Sequence, residues 1–241
     1  MWHVRIISLF PEIFPGSLNL SVLGRAMGSS WDIKSYNLRD FATDKHSTVD
    51  DTPYGGGGGM VLKAEVMAEA IDKCFLQDHE SRDNPIIYLT PRGELLKQSI
   101  CHELSQYYNG VNIICGRFEG IDERVLEEYK IRQISIGDYI LSSGDFAAYV
   151  LVDGCVRLLP GVLGGEQSLG EESFAVGTSY QCLLEYPHYT KPAVWRGHNV
   201  PGVLLSGNHQ MVNAWRLEQA KLKTQQTRPD LWDQYLQREE K

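Results

Sequence analysis

The feature that most restricts this chain is a threefold recurrence between residues 85 and 159. Each time, a short apolar run leads into a loop of glycine and polar residues, then into a helical pattern. Pro85-Ile86-Ile87-Tyr88-Leu89 enters Thr90-Pro91-Arg92-Gly93 and a helix through Leu104. Val111-Asn112-Ile113-Ile114-Cys115 enters Gly116-Arg117-Phe118-Glu119-Gly120 and a helix from Asp122 to Tyr129. Ile131 to Ile136 enters Gly137-Asp138-Tyr139-Ile140-Leu141-Ser142-Ser143-Gly144 and a helix from Asp145 to Leu159. Repeated strand–helix units predict an α/β fold with a mainly parallel sheet covered on both faces. Ligands of such sheets bind beyond the carboxyl ends of the strands, where these three loops gather.

Upstream, Val4 to Leu9 and Trp31 to Leu38 read as two more strands, with a turn or helix from Pro11. A polar stretch from Arg39 to Gly59 precedes a helical pattern from Met60 to Cys74. Pro160-Gly161 closes the third unit. We therefore expect a body over 1–160, a linker over 161–186 that lacks periodicity, and a small, mostly helical domain over 187–241. In that last part Met211 to Lys223 is amphipathic, and Arg228-Pro229-Asp230 starts a final helix.

Composition narrows the partners. Five cysteines with no short paired spacing argue for a reducing compartment rather than a disulfide scaffold or zinc knuckle. No stretch approaches the ~20 apolar residues of a membrane span, and the start lacks a signal-peptide pattern, so a cytoplasmic protein off the membrane is expected. The net charge of −8 disfavours a DNA-coating role. Residues 181–241, however, carry 8 basic against 6 acidic side chains, while residues 1–180 carry 15 against 25. A mildly basic tail can grip a folded RNA through a few placed side chains.

The common nucleotide cradles, the zinc-protease helix and the nucleophile elbow are all missing from the sequence. What stands out instead is Tyr54-Gly55-Gly56-Gly57-Gly58-Gly59-Met60, whose bare backbone amides could approach a ligand closely, though composition alone also allows a linker. Glu119 lies between glycines at a strand's carboxyl end, a position suited to ligand contact or to plain surface. The apolar, small-residue loop Ile136 to Gly144 suits a flat, uncharged heteroaromatic group. Arg157 either caps its helix or points into the cleft. Glu171 and Glu172 are by default solvated acids.

Together these segments resemble the bacterial tRNA (guanine-N1)-methyltransferases of the knotted SPOUT superfamily. The likeness is carried, in family order, by Leu9-Phe10-Pro11-Glu12, Thr43-Asp44-Lys45-His46, Asp50 to Met60, Tyr88-Leu89-Thr90-Pro91 and Cys115 to Arg124. It continues through Ser135 to Gly144, Arg157 to Gly164, Pro187-His188-Tyr189-Thr190-Lys191-Pro192 and Leu204-Leu205-Ser206-Gly207. The resemblance implies a deep trefoil knot late in the α/β body and S-adenosylmethionine as methyl donor in the three-loop slot. It also implies a homodimer with shared active sites, and a tRNA partner gripped by the C-terminal domain. The product would be N1-methylated guanosine at position 37, just 3′ of the anticodon.

By the same comparison, Glu172 is the base that takes the N1 proton and Arg157 stabilises charge on O6. Glu119 bonds the guanine edge, and Asp50, Tyr54, His188 and Ser206 join it in binding the substrate. Tyr88, Leu89, Pro91, Gly116, Ile136, Gly137, Tyr139, Leu141 and Gly144 line the cofactor slot. No residue is assigned to a metal, although a magnesium ion as helper is left open. Departures from the family pattern are Glu172 for aspartate, Gly58 for proline, Ser143 for glycine, Asp145 for glutamate and Asn208 for histidine. The competing readings are a knotted RNA-binding protein with weakened catalysis and a knotted ribose 2′-O-methyltransferase.

Overall fold

The computed structural model describes residues 1–164 and 169–240 and divides into two compact units, Met1–Gly164 and Gly165–Lys241. In the first unit, β1 (Trp2–Ser8), β2 (Trp31–Asn37), β5 (Ile86–Leu95), β6 (Gly110–Cys115) and β7 (Arg132–Ser135) form one sheet in the order β2-β1-β6-β5-β7. Every pairing in it is parallel. β1, β5 and β6 arise from the apolar runs singled out above, because a parallel strand buried on both faces must be apolar almost throughout; β2 and β7, at the two edges, carry polar residues and are only partly buried.

Alternation along the strands sorts the core into two layers. Trp2, Val4, Ile6, Ile87, Leu89, Val111 and Ile113 pack with α1 (Ser21–Ala26), α3 (Gln98–Tyr107) and α5 (Asp145–Val156). Ile7, Tyr88 and Ile114 face the other way, towards α2 (Ala64–Ile71) and α4 (Glu123–Glu128). Asp122 caps α4 by accepting from the Arg124 amide at 3.0 Å.

Two local expectations change in this unit. Met60 to Cys74 is not one helix: Val61–Leu62 forms β4, antiparallel to β3 (Asp50–Asp51), and α2 starts only at Ala64 and ends in a π-turn over Asp72–Leu76. The cause is local pairing, since the Leu62 amide donates to Gly120 O at 2.9 Å and the Lys63 amide to Val49 O at 2.8 Å. Residues 90–95 are not a free loop but the second part of β5, which shifts register against β7 between Leu89 and Glu94. Both positions pair with Ile134, so Thr90 to Gly93 is stitched to β7 at each end.

One charged cluster is buried in the first unit. Arg5, fully buried on β1, bonds Asp78 at 2.8 Å, Asp32 at 2.8 Å and Glu80 at 2.7 Å. Burial acts to raise the Asp32 and Asp78 carboxyls, but the Arg5 hydrogen bonds prevail and hold both below their ordinary 3.8.

In the second unit, α6 (His209–Thr227) begins at Asn208, whose side chain accepts from the Met211 amide, and α7 (Pro229–Glu239) starts with proline in its first turn. Residues 187–208 are not helical. They hold a hairpin, β8 (Val194–Trp195) with β9 (His198–Asn199), and a 3-10 turn over Gly202–Leu205. Pro187, Pro192 and Pro201 exclude a continuous helix there. Residues 169–186, expected as linker, supply Ala175, Tyr180, Leu183 and Tyr186 to this unit's core, beside Ala220 and Tyr235. The rest of the expected linker, 165–168, lies outside the described residues.

Candidate active site

The carboxyl ends of β5, β6 and β7 open into a cavity of about 270 Å³. That is close to the lower end, about 300 Å³, of ordinary small-molecule sites. Its walls bring together all nine residues expected to line a cofactor slot: Tyr88, Leu89, Pro91, Gly116, Ile136, Gly137, Tyr139, Leu141 and Gly144. Glu119 lines it too.

Each loop is held by the strand before it. The Gly144 amide donates to Gly116 O at 2.9 Å, tying the third loop to the second. A Cβ on Gly116 would lie 2.7 Å from the Tyr88 ring, so only glycine lets the second loop approach it. Tyr88 itself is buried, and burial raises its phenol above the ordinary value, keeping it a neutral donor. Leu89, Ile134, Ile136, Leu141 and Ala147 supply apolar wall. Apolar walls with backbone amides and carbonyls at their edges fit the adenine ring of S-adenosylmethionine.

The glycine run reaches this rim. Gly59, at φ +91°, sits where any Cβ would collide with the Glu119 carboxylate, and the Glu119 amide donates to Met60 O at 2.9 Å. Tyr54 is fully exposed, and Asp50 is half-buried in the β3–β4 ladder; neither lines the slot.

Arg157 is the C-cap residue of α5, its amide donating to Asp153 O at 3.1 Å, and it is absent from the cavity wall. Its charge acts on the buried Cys101 thiol, which is lowered first by its hydrogen bond with Cys155. Of the remaining expected site residues, all in the second unit, Ser206 donates to Val203 O at 2.7 Å and His188 pairs with Glu185 at 2.9 Å. Glu172 is half-buried in the segment before Tyr186.

Arg117 also lines the cavity, a role its motif alone does not signal. Its guanidinium stacks 4.7 Å from the Phe10 ring centroid, a contact between distant segments that no local pattern announces. Among the described residues, His3, Asp32 and Glu80 are close enough to share a cation, but Arg5 already bonds both carboxylates and takes that role.

A family model described as tRNA (Guanine-1)-methyltransferase TrmD matches residues 2–234. The chain belongs to this family. A relative from Pelagibacter ubique is 48% identical over 236 residues, covering 98% of this chain and 99% of its own. One from Rhodospirillum rubrum is 50% identical over 232 residues, covering 96% and 92%. Another, from Wolbachia pipientis wMel, is 48% identical over 231 residues and covers 95% of each. All three are named tRNA (guanine-N(1)-)-methyltransferase. Among the described residues, no helix is long and apolar enough to cross a membrane.

Proposed function

We propose that this protein is an S-adenosylmethionine-dependent tRNA (guanine-N1)-methyltransferase that modifies the guanosine at position 37, 3′ of the anticodon. The observation that carries the reading is the match to one enzyme family across residues 2–234. The slot at the ends of three parallel strands supports it, because its walls suit a heteroaromatic methyl donor.

Bound there, S-adenosylmethionine supplies a methyl group activated by a sulfonium. Tyr88, Leu89, Pro91, Gly116, Ile136, Gly137, Tyr139, Leu141 and Gly144 hold it. Guanine N1 carries a proton and is a poor nucleophile until that proton leaves. Glu172 takes the N1 proton, which frees that nitrogen to attack the methyl group, with the S–CH3 bond breaking to leave a neutral thioether. Negative charge then grows on O6, and the Arg157 guanidinium offsets it. Glu119 accepts from the guanine edge, while Asp50, Tyr54, His188 and Ser206 hold the surrounding RNA.

The finer reading completes the assembly: a trefoil knot in the α/β body, a cytoplasmic homodimer with shared active sites, and tRNA gripped by residues 187–241. Exposed Tyr139, Ile140, Leu141, Phe146 and Val150 support the dimer, since such apolar side chains are costly to leave in water. Magnesium has no assigned ligand in this mechanism.

The test is label transfer from radioactive S-adenosylmethionine to tRNA carrying G or A beside the anticodon. Label on the G transcript alone, mapped to N1, is expected. Label on a 2′-oxygen would instead mean a ribose methyltransferase, and tRNA binding without label would mean a non-catalytic RNA-binding protein. Arg157→Ala should slow transfer by about 100-fold while weakening donor binding much less, measured by calorimetry; equal losses would make Arg157 structural.

A further inference from the structure

Glu171 and Glu172 are adjacent acids in the segment that leads into the core of the second unit. One carboxylate oxygen of Glu171, Oε2, accepts both from the Tyr186 hydroxyl at 2.7 Å and from the Arg216 guanidinium at 3.0 Å. The same guanidinium stacks 4.9 Å from the centroid of the Tyr186 ring, which is buried. The residues after Glu172 are pinned as well. Ser173 Oγ accepts from the Glu185 amide at 2.8 Å, and the Phe174 amide donates to Leu183 O at 3.0 Å. Phe174 holds a left-handed φ of +65°, and the Ala175 amide closes the turn on Glu172 O at 3.3 Å. Segment 183–186 is in turn fixed to α6, where the Leu184 amide donates to Thr224 Oγ at 2.8 Å.

We infer that Glu171, Tyr186 and Arg216 form a clamp that positions Glu172, so that the two acids divide the work: Glu171 is the anchor and Glu172 the base. This deepens the proposed function and rests on its assignment of Glu172. The physical reason is orientation. A base transfers a proton efficiently only within hydrogen-bond reach, and displacement by about 1 Å can cost 100-fold in rate. The extra methylene of Glu172, relative to the family's aspartate, therefore projects from a backbone fixed on both sides rather than from slack chain.

The clamp is tested in the full-length enzyme by steady-state label transfer to tRNA, with donor affinity read by calorimetry. Glu171→Ala should lower kcat by about 10- to 100-fold with donor Kd unchanged and tRNA KM little altered. Glu171→Gln, which still accepts both bonds, should recover most of that loss. Tyr186→Phe keeps the ring packing and removes one bond, so a loss of about fivefold is expected; it decides the matter if Glu171→Ala melts below the assay temperature. Added to Glu172→Gln, Glu171→Ala should cost nothing more. Wild-type kcat in both Glu171→Ala and Tyr186→Phe, or losses that multiply in the double variant, would overturn the clamp. An unimpaired Glu172→Gln would bring down the base assignment and the clamp with it, whereas an inactive Glu172→Gln beside a fully active Glu171→Ala would remove the clamp alone.

Discussion

The slot of the first unit and the acid-bearing segment of the second are both irregular backbone, yet they are held in opposite ways. The slot loops hang from β5, β6 and β7, whose positions are set by continuous parallel ladders and two apolar layers. Residues 171–186 have no ladder; a small apolar cluster holds them, with individual bonds that involve Tyr186, Arg216, Ser173 and Thr224. Ladders spread the load over many bonds, so the slot should tolerate most single changes. The pinned segment should not.

The largest effect should come from the pinned side. Glu172→Gln is expected to cut turnover by about 10²- to 10⁴-fold while S-adenosylmethionine still binds normally by calorimetry; lost donor affinity would mean the contrast is false. Next is Arg5→Met, which leaves three carboxylates around an apolar side chain. The carboxylates left behind are 18–51% exposed and can hydrate, so the cost should be about 3 kcal/mol at most, read in denaturant as instability of the first unit. Asp32 and Asp78 have native pKa values below 3.8. Their stabilisation is therefore complete above the unfolded value and lost as pH falls through the lowered ones. An acid titration should show this limb in the wild type and a flatter one in Arg5→Met.

A smaller loss is expected from Thr224→Val, which strands the Leu184 amide in the second unit at a cost of about 1–3 kcal/mol. Thermal unfolding should shift and kcat should fall with it, since the acid segment is loosened; a shift in stability with full activity would separate the two. The smallest effect should be Gly116→Ala. The new methyl group must push the Tyr88 ring aside, and donor affinity should drop about tenfold at the edge of a small-molecule site, with folding stability little changed.

The same contrast decided what the sequence could reveal. The central strands and the three loops were legible because buried parallel strands must be apolar runs and their loops must meet at one sheet end; the nine slot residues were named from the family likeness. The β3–β4 ladder was not, since two-residue strands leave no period; Val61 and Leu62 merge into the helical pattern that follows. Residues 171–186 read as a linker because side-chain-to-backbone bonds, such as Ser173 to Glu185, carry no repeat. In residues 187–208 the local signals were Pro187, Pro192 and Pro201 and the Arg196-Gly197 turn of the β8–β9 hairpin, with φ of +51° and +83°. Family likeness, not periodicity, singled out Glu172.

The register shift in β5 has a consequence for the rim of the slot. Because Leu89 and Glu94 both pair with Ile134, the Thr90 to Gly93 rim is sewn down at its two ends and acts as a fixed sill. The opposite rim, Gly137 to Ser143, carries the exposed Tyr139, Ile140 and Leu141 and is tied to the second loop at Gly144. A surface that covers those three side chains would therefore also border the slot.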